Sequence, residues 1–571
     1  MNADRLLQYF ERIADAPDVI PRLRQLVYYL AVQGKLATRE GDETAEGLVA
    51  WIRTERNRVM AYKKTGHDDP IKFFSDKDLP FEIPKHWEWS QLNAIGMLSG
   101  GMTPSKNRPD FWKGDVNWFS PKDMKSDELV ESELKISEHA LKETGLQLYP
   151  PGCIFMVARS GILKRTFPVS INRVDAAVNQ DLKVLNPFVE GLELYLQIAL
   201  RGMSGYILSD FVKTGTTVQS LKYSEFQFLA LPLPPLPEQH RIVAKVDELM
   251  ALCDELEAAQ TKREKRRDRL VASTLHGMNN GENGEDFQQS ARFYFNHLPR
   301  LTTRLEHIQK LRQTILNLAV RGRLVPQDPN DEPVLDLLYQ IESERELSIR
   351  NHQNRRSGII SKMSKLSSRI QIPESWEWVE LQDIFLSIAD GDHQPPPRAQ
   401  SGIPFLVIGN IRNRRIELPP DIRFVPEEYF KGLDESRRPG KGKILYTLVG
   451  SYGIPVLLID ALRFCVQRHI GILTPSTHIN GRFVTILLDS RLVFDQATEC
   501  ATGIAQKTVP LSGLRQIRVP LPPLGEQRRI VAKVDELMSV CDELEGRINE
   551  SLSTRGKLLE AALYEALKGR T

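Results

Sequence analysis

The sequence predicts an α+β protein in which two mixed α/β domains are joined by two long antiparallel coiled-coil helices, with a pseudo-twofold internal duplication. Three observations predict this fold. One block of sequence occurs twice, an apolar helical pattern follows each copy, and short apolar runs separated by Gly, Pro, Asn and Asp lie between the repeated parts. At about 100–200 residues per domain, the 571 residues suffice for three or four packing units.

The repeated block is Pro232–Glu257, which returns at Pro520–Glu545 with 22 of 26 positions identical and an offset of 288. The same offset relates the LRQ…LAV segment that begins at Leu23 to the one that begins at Leu311. The anchors IPKHWEW and IPESWEW are 289 residues apart, whereas about 96–210 and 385–500 share only scattered residues. Surfaces kept in both halves suit two copies of one partner, and surfaces that differ suit different targets. The alternative is a duplication in which the loop sequences diverged without acquiring different functions.

Six segments follow from the repeat. They are an N-terminal helical region at 1–82, an α/β domain at 83–236, a long helix at 237–276, a linker and helical region repeating the first at 277–371, a second α/β domain at 372–524, and a last long helix at 525–571. The stretch 276–292 is rich in Gly and Asn, which indicates the clearest linker. Gly34 and Gly322 are placed to cap the amphipathic helices before them.

The long helices are predicted from their ends and their apolar spacing. The LPLPPL segments read as extended edge strands or polyproline segments, and helix follows from Pro237 and Gly525 for about 40 residues, or roughly 60 Å. Apolar residues then step by four and three, which is typical of a coiled-coil seam. The predicted seam consists of Ile242, Val246, Leu249, Cys253 and Leu256 in the first helix, and Ile530, Val534, Leu537, Cys541 and Leu544 in the second. The charge run Lys262–Arg269 is either a solvated face or a phosphate contact.

Composition and missing motifs exclude several function classes. The five cysteines are scattered without metal spacing, which argues against a structural metal and favours a reducing cytoplasm. Apolar runs are too short for a membrane span, and no phosphate-cradling loop, glycine-rich dinucleotide loop or Asn-Pro-Pro-aromatic motif is present. Asp110, Glu133 and Lys135 have a spacing similar to a metal-dependent nuclease core, which leaves a nuclease as an alternative.

The duplicated lead-in and RIVAKVDEL helix resemble the DNA-specificity subunit of type I restriction-modification systems. The segments Thr214–Leu236 and Thr502–Leu524 support the resemblance, and Gly100–Met124 and Asp390–Ile411 look like openings of target-recognition domains. The resemblance implies that each domain reads one part of a split, asymmetric sequence in double-stranded DNA. It further implies a non-catalytic chain without cofactor or metal, in a prokaryotic cytoplasm and without membrane contact.

Partner chemistry is also implied by the resemblance. The long helices would act as a spacer and, with flanking helices, dock two methyltransferase (modification) subunits that hold S-adenosylmethionine and methylate adenine. Separate restriction/translocase subunits would supply cleavage with ATP and Mg. The remaining alternatives are a subunit of another methylation-linked phage-defence system, and an adaptor whose unlike domains bind proteins.

DNA-contact candidates are polar residues in loops between apolar runs, since phosphate contacts set the register and base-edge contacts specify sequence. Lys and Arg exceed Asp and Glu by 17 to 12 over 385–520 but balance at 15 each over 96–232, so the second domain is the more basic. The glycine turns Thr214–Gln219 and Thr502–Lys507 are either phosphate-binding amides or plain turns. The candidates are Lys106, Arg108, Lys122, Lys125, Arg159, Ser160, Lys164, Arg165, Thr216 and Gln219 in the first domain, and Arg398, Asn410, Arg412, Asn413, Arg414, Arg415, Arg437, Arg438, Tyr452, Gln506 and Lys507 in the second.

Overall fold

The computed structural model describes residues 14–16, 18–37, 40–41, 43–63, 79–213, 215, 218–280, 284–352, 371–392, 396–503 and 506–568. These residues form two compact units. The first comprises residues up to 263 together with 552–571, and the second comprises 264–551. Each unit therefore contains part of both long helices, whereas the sequence repeat divides the chain near residue 288.

The helices form the repeated scaffold and also pack on the sheets. In chain order they are α1 Val19–Val32, α2 Glu46–Lys63, α3 Leu92–Ile95, α4 Glu138–Thr144, α5 Glu193–Gly202, α6 Ser204–Asp210, α7 Tyr223–Phe226, α8 Leu236–Asn280, α9 Gly284–Asn296, α10 Leu298–Leu301, α11 Leu305–Ala319, α12 Val334–His352, α13 Leu381–Ile384, α14 Glu427–Gly432, α15 Gly481–Leu488, α16 Arg491–Cys500, α17 Leu511–Arg515 and α18 Leu524–Lys568. Both long helices, α8 and α18, have 45 residues and begin one residue before the predicted start.

Strands are short and alternate with turns in both variable regions. They are β1 Glu88–Gln91, β2 Gly96–Gly100, β3 Val116–Phe119, β4 Glu128–Leu129, β5 Leu134–Ile136, β6 Ile154–Val157, β7 Arg159–Ser160, β8 Val169–Asn172, β9 Ala176–Val178, β10 Leu182–Pro187, β11 Val212–Lys213, β12 Gln219–Leu221 and β13 Ala230–Leu233 in the first unit, and β14 Glu377–Glu380, β15 Phe385–Asp390, β16 Ile403–Leu406, β17 Ile411–Arg412, β18 Arg415–Ile416, β19 Arg423–Val425, β20 Ile444–Thr447, β21 Pro455–Leu457, β22 Cys465–Val466, β23 Ile470–Pro475 and β24 Arg518–Leu521 in the second.

The two variable regions share a sheet topology that their sequences do not reveal. The largest sheet has the order β2-β10-β6-β8-β4 in the first unit and β15-β23-β20-β21 in the second. A smaller sheet contains one parallel pair in each unit, β3 with β9 and β16 with β22. The units differ at their edges, because β7, β11 and β12 form a sheet only in the first, and β17 and β18 form an isolated hairpin only in the second.

The proline-rich segments are edge strands, as one of the two sequence interpretations had it. Each pairs on one side only, β13 with β1 and β24 with β14, so that Pro232 lies opposite Trp89 and Pro520 opposite Trp378. Proline has no amide hydrogen to donate, and such a strand is suited to an edge. The strand then leads directly into the long helix.

A buried carboxylate begins each long helix and ties it to the preceding anchor. Trp87 Nε1 donates to Glu238 Oε2 at 3.1 Å, and Trp376 Nε1 donates to Glu526 Oε2 at 2.9 Å. Both glutamates are almost completely buried. Burial raises the pKa of Glu526, although hydrogen bonds from Gln327 and Trp376 oppose that shift.

The predicted C-cap glycines are confirmed in both repeats. Gly34 has a φ of 65° and Gly322 a φ of 67°, the left-handed region that favours glycine. A side chain there would also collide with the following anchor, since an added Cβ would lie 2.5 Å from Pro84 Cγ or 2.3 Å from Pro373 Cγ. These glycines therefore allow the amphipathic helix to pack closely on the anchor.

The predicted linker at 276–292 is wrong for most of its length. Helix α8 continues to Asn280, and α9 begins at Gly284. Phe287, Ala291 and Tyr294 lie on one face of α9 and pack against the hydrophobic core of the second unit. Burial of this face outweighs the turn propensity of the local glycines and asparagines.

The predicted seam residues pack in several different environments. Ile242 and Val246 belong to the core of the first α/β domain, and Ile530 and Val534 to that of the second. Cys253 joins the cluster of Val19, Ile20 and Leu559, while Cys541 is buried in the second unit. Leu249, Leu537 and Leu544 are half-buried, and Leu256 is 37% exposed.

Candidate nucleic-acid interface

In the first unit, the structure brings two predicted loops together. Strand β7 pairs with β12, so that Ser160 lies opposite Gln219 and Arg159 opposite Ser220. Lys164 and Arg165 follow on the Gly161–Lys164 turn, are exposed and make no side-chain hydrogen bond or ion pair among the described residues. We call 159–165 together with the described part of 212–219 the first paired-loop site. Thr216 lies outside the described residues.

Polar contacts already occupy part of this site. Arg159 Nε donates to Asp181 Oδ1 at 2.8 Å, and Ser160 Oγ accepts from the amide of Ile162 at 3.4 Å. The Gln219 side chain is buried and donates to the carbonyl of Gly215 at 3.1 Å. Gln219 therefore holds the glycine turn, while Lys164 and Arg165 supply the unpaired positive charge.

The second unit contains the same loop pair in a less regular form. The amide of Gly450 donates to the carbonyl of Lys507 at 3.0 Å, and Thr502 and Thr508 exchange two backbone bonds of 2.8 Å. Lys507 and Gln506 are exposed. Tyr452 stacks on Phe494 with ring centroids 5.5 Å apart, and its hydroxyl donates to Thr498 Oγ1 at 3.0 Å. We call 449–452 with the described part of 502–508 the second paired-loop site.

Among the residues that the structure describes, a basic hairpin lies in the second unit only. Strands β17 and β18 pair Ile411 with Ile416 and Arg412 with Arg415, leaving Asn413 and Arg414 as a two-residue turn. Both turn residues have positive φ, 49° and 59°, which is characteristic of the tight turns that join two strands. The structure therefore concentrates four of the predicted contact residues on one short ribbon.

The opening of the first domain presents three free lysines and one engaged arginine. Lys106, Lys122 and Lys125 are exposed and have no side-chain partner among the described residues. Arg108, in contrast, donates to Asp110 and Glu143 and lies 4.2 Å from the centroid of the Phe111 ring. Its guanidinium is already bound within the chain.

Asp123 shapes the loop that carries two of these lysines. Its carboxylate accepts from the amide and hydroxyl of Ser120, both at 2.8 Å, and from the amide of Glu133 at 2.9 Å. Two of the predicted nuclease residues, Asp110 and Lys135, are paired with other side chains of the chain. Lys135 donates to Glu131 at 3.0 Å, and no group of three His, Cys, Asp or Glu side chains suited to a metal occurs in the described ranges.

The other candidates of the second domain divide into free and engaged side chains. Arg398 is exposed and unpaired among the residues that the structure describes. Arg437 approaches Asp390 at 4.0 Å and Asp392 at 3.8 Å, and Arg438 Nη2 donates to the carbonyl of Lys431 at 2.5 Å. Asn410 Oδ1 accepts from the amide of Val407 at 2.9 Å. Arg437, Arg438 and Asn410 thus maintain the loops that carry them.

Four cations of the charge run on α8 are exposed and unpaired in the described structure: Lys262, Lys265, Arg266 and Arg269. Others in the run are engaged, since Arg267 binds Glu264 and Asp268 binds Arg304 and His307. The run therefore contains both solvent-exposed cations and cations engaged in ion pairs.

Sequence reasoning missed three acidic residues that organise the candidate interface: Asp123, Asp181 and Asp489. Each holds a loop or an arginine of the candidate set, and Asp181 and Asp489 do so across 22 and 75 residues of sequence. Positive charge in loops does not point to these acids, and no sequence signal pairs them with their partners.

A family described as "Type I restriction modification DNA specificity domain" matches residues 84–264 and 373–554, which is more than half of the chain. The chain belongs to this family. The two matches coincide with the repeated α/β domains and the first parts of the long helices that follow them.

Two Escherichia coli relatives match nearly the whole chain. The EcoEI specificity subunit of a type I restriction enzyme is 25% identical over 96% of this chain and 94% of its own length, and the EcoAI specificity subunit has the same identity and coverage. The HsdS subunit from Thermoanaerobacter tengcongensis aligns with a TM-score of 0.39 at 19% identity, covering 86% of this chain and 98% of that one.

The family settles the broad class of the protein. Type I specificity subunits are non-catalytic, and catalysis belongs to other subunits of their complexes. The sequence-based prediction of a type I DNA-specificity subunit with two repeated mixed α/β domains is confirmed. None of the helices that the structure describes combines the length and apolar composition needed to span a bilayer.

Proposed function

We propose that the two α/β domains of this specificity subunit read the two parts of a bipartite, asymmetric DNA target. The paired-loop sites occupy equivalent positions in both domains but carry different side chains, Lys164 and Arg165 in one and Gln506 and Lys507 in the other. The basic hairpin occurs in the second domain alone. Different side chains on one topology suit different base sequences.

The repeated scaffold supports docking of two identical modification subunits. Arg24 binds Asp254 and Glu257 at 2.6 and 2.7 Å, and 288 residues later Arg312 binds Asp542 and Glu545 at 2.5 and 3.0 Å. Two copies of one scaffold present the same surface twice, which is the requirement for binding two copies of one partner.

Identity between the long helices extends to positions that core packing does not constrain, and this observation carries the docking proposal. Asp247 and Glu248 are exposed in α8, and the same residues are exposed in α18 at 535 and 536. Leu252 is 48% exposed and its equivalent Val540 is 43% exposed. Both helices therefore present the same acidic pair and an exposed apolar residue at equivalent positions, as a surface bound by two copies of one partner requires.

The chemistry would reside in the partners. The modification subunits would hold S-adenosylmethionine and methylate adenine, and restriction/translocase subunits would use ATP and Mg. This chain would position them by binding DNA. A prokaryotic cytoplasm is the expected location of such a complex.

Reconstitution tests both parts of the proposal. The full chain is purified with its modification subunits, the target is mapped from methylated sites, and either half of the target is then scrambled. We expect each scrambled half to weaken binding, and affinity to fall steeply with salt because phosphate binding releases counterions. An affinity that is unchanged when either half of the target is scrambled, and that does not depend on salt, would favour a protein-binding adaptor instead.

Docking is tested by the mass of the complex. Leu252→Arg and Val540→Arg should each remove one modification subunit, and the double variant should remove both. Val130→Arg is the matched control, because Val130 is 64% exposed but lies on a loop outside the repeated scaffold. Two subunits retained by the double variant would refute docking at this helix face.

A further inference from the structure

The β17–β18 hairpin presents opposite chemistry on its two faces. Ile411 is buried in a small hydrophobic cluster of the second unit and Ile416 packs against the same cluster. Arg412 and Arg415 are paired across the hairpin and exposed. The apolar pair therefore fixes the base of the ribbon, and the arginine pair extends into solvent.

The tip of the hairpin is held by a carboxylate from another element. Arg414 Nε donates to Asp489 Oδ2 at 2.6 Å, and Arg414 Nη2 donates to Asp489 Oδ1 at 2.8 Å. Asp489 directly follows α15, and its amide donates to the carbonyl of Thr485 at 3.0 Å. Its side chain is only 16% exposed, so a rigid part of the domain supplies this contact.

Two parallel hydrogen bonds fix the orientation of a guanidinium as well as its position. The hairpin needs such support, because β17 and β18 pair with no further strand and isolated two-stranded ribbons are only marginally stable. The two bonds occupy the Nε–Nη2 edge of Arg414 and direct that edge toward Asp489, away from any external partner. The Nε of Arg412 donates to the carbonyl of Gly409 at 3.1 Å, and Arg415 makes no side-chain hydrogen bond or ion pair with any described residue.

We propose that Asp489 is a positioning residue that holds the hairpin through Arg414, so that Arg412 and Arg415 determine base specificity in one part of the target. A two-stranded ribbon fits the major groove, where arginine recognises guanine with two hydrogen bonds. This inference rests on the proposed DNA-reading function and assigns different roles to the three arginines of one turn.

A double-mutant cycle on the full chain in its complex tests the assignment. The measured quantity is the ratio of affinities for duplexes with the correct and the scrambled part of the target read by the second domain. Arg414→Ala and Asp489→Ala should each lower this ratio about tenfold, as expected for losing one well-placed base contact. The double variant should be no worse than either single variant, because both changes remove the same support.

Two further readouts separate positioning from direct contact. Arg412→Ala and Arg415→Ala should each relax selectivity mainly at one base pair. The dependence of affinity on salt should stay unchanged in Arg414→Ala, because Arg414 neutralises Asp489 and not a phosphate. Glu427→Gln is the control for loss of an ion pair, since it breaks the Arg463–Glu427 pair elsewhere in the domain and should leave the ratio unchanged.

Three outcomes would overturn the inference. A further loss on adding Arg414→Ala to Asp489→Ala, with a shallower salt dependence, would show that Arg414 itself contacts DNA. Lower thermal stability in Asp489→Ala with an unchanged affinity ratio would show that Asp489 has a purely structural role. Arg414→Ala removes the same ion pair at an exposed residue, so it tests the affinity ratio without altering a buried side chain. No preference for either part of the target in the unmodified complex would instead refute the proposed function.

Discussion

A fragment that ends near residue 290 is predicted to form a symmetric dimer. In the full chain, the first unit contains the end of α18, where Leu559 is completely buried among Val19, Ile20 and Cys253. The fragment lacks this segment. It retains Val271, which lies 288 residues before Leu559, and a second copy of the fragment would bring Val271 to the site that Leu559 occupies.

The magnitude follows from the apolar contact that is lost and regained. Truncating one buried leucine costs about 2–5 kcal/mol, so refilling two such sites per dimer is worth about 4–10 kcal/mol. This range corresponds to dissociation constants between about 1 mM and about 50 nM, and we expect a dimer near the middle of it, in the micromolar range. Flanking residues support the exchange, since Leu270 and Leu275 stand 288 residues before Leu558 and Leu563.

Analytical ultracentrifugation measures the association, and methylation mapping measures the target. The fragment dimer with its modification subunits should recognise a palindrome made from one part of the original target. Val271→Asp in the fragment should abolish dimerisation, and a fragment ending at 262 should not dimerise. A folded fragment that stays monomeric at about 100 μM, which is 100-fold above a dissociation constant of about 1 μM, would refute the predicted dimer. A fragment that still prefers the asymmetric target would refute it as well.

Further predictions concern the helices, the anchors and the buried carboxylate. Inserting seven residues into both α8 and α18 adds about 10 Å of helix, so the mapped gap between the two parts of the target should lengthen by about three base pairs or recognition should be lost; an unchanged target would contradict a spacer role. Trp376→Phe should destabilise the second unit by about 1.5–3 kcal/mol in denaturant melts, because it removes the hydrogen bond to the buried Glu526. Trp378 is only half-buried, and Trp378→Phe should lower the free energy of unfolding by less. Equal losses of stability in the two variants would contradict this. Burial raises the pKa of Glu526 above 4.5, so the folded state binds this proton more tightly than the unfolded state, and stability should fall as pH rises above 4.5. Glu526→Gln should remove that part of the pH dependence of the melting temperature. An unaltered pH profile in the variant would exclude Glu526 as the cause. Glu133→Ala should not change the extent of DNA cleavage by the complex, because no metal site surrounds Glu133 within the described part of the chain. A change in cleavage would support a nuclease role.

Most of the scaffold was predictable because its signals are local or repeated. The C-cap glycines, the proline edge strands and the starts of both long helices each depend on the conformational limits of one residue type. The linker at 276–292 was predicted wrongly because its glycines and asparagines were weighed without the core. Phe287 and Tyr294 find that core only in the folded chain.

The sequence selects the candidate contact residues by charge and position, and the structure shows which of them are engaged within the chain. Positive charge in loops led to Arg108, Arg159 and Arg414, and the structure shows each of these engaged by a carboxylate. Lys106, Lys164 and Arg415 were selected by the same criterion, yet they have no side-chain partner among the described residues. Composition does not separate the two groups.

The sequence by itself determined that this protein is built twice, with the same order of parts, and which family it belongs to, because identity at a fixed offset is visible without coordinates. Only the tertiary structure decided which of the candidate arginines are already bound to a carboxylate of the same chain. That distinction depends on carboxylates up to 75 residues away, and folding alone brings them within hydrogen-bonding distance.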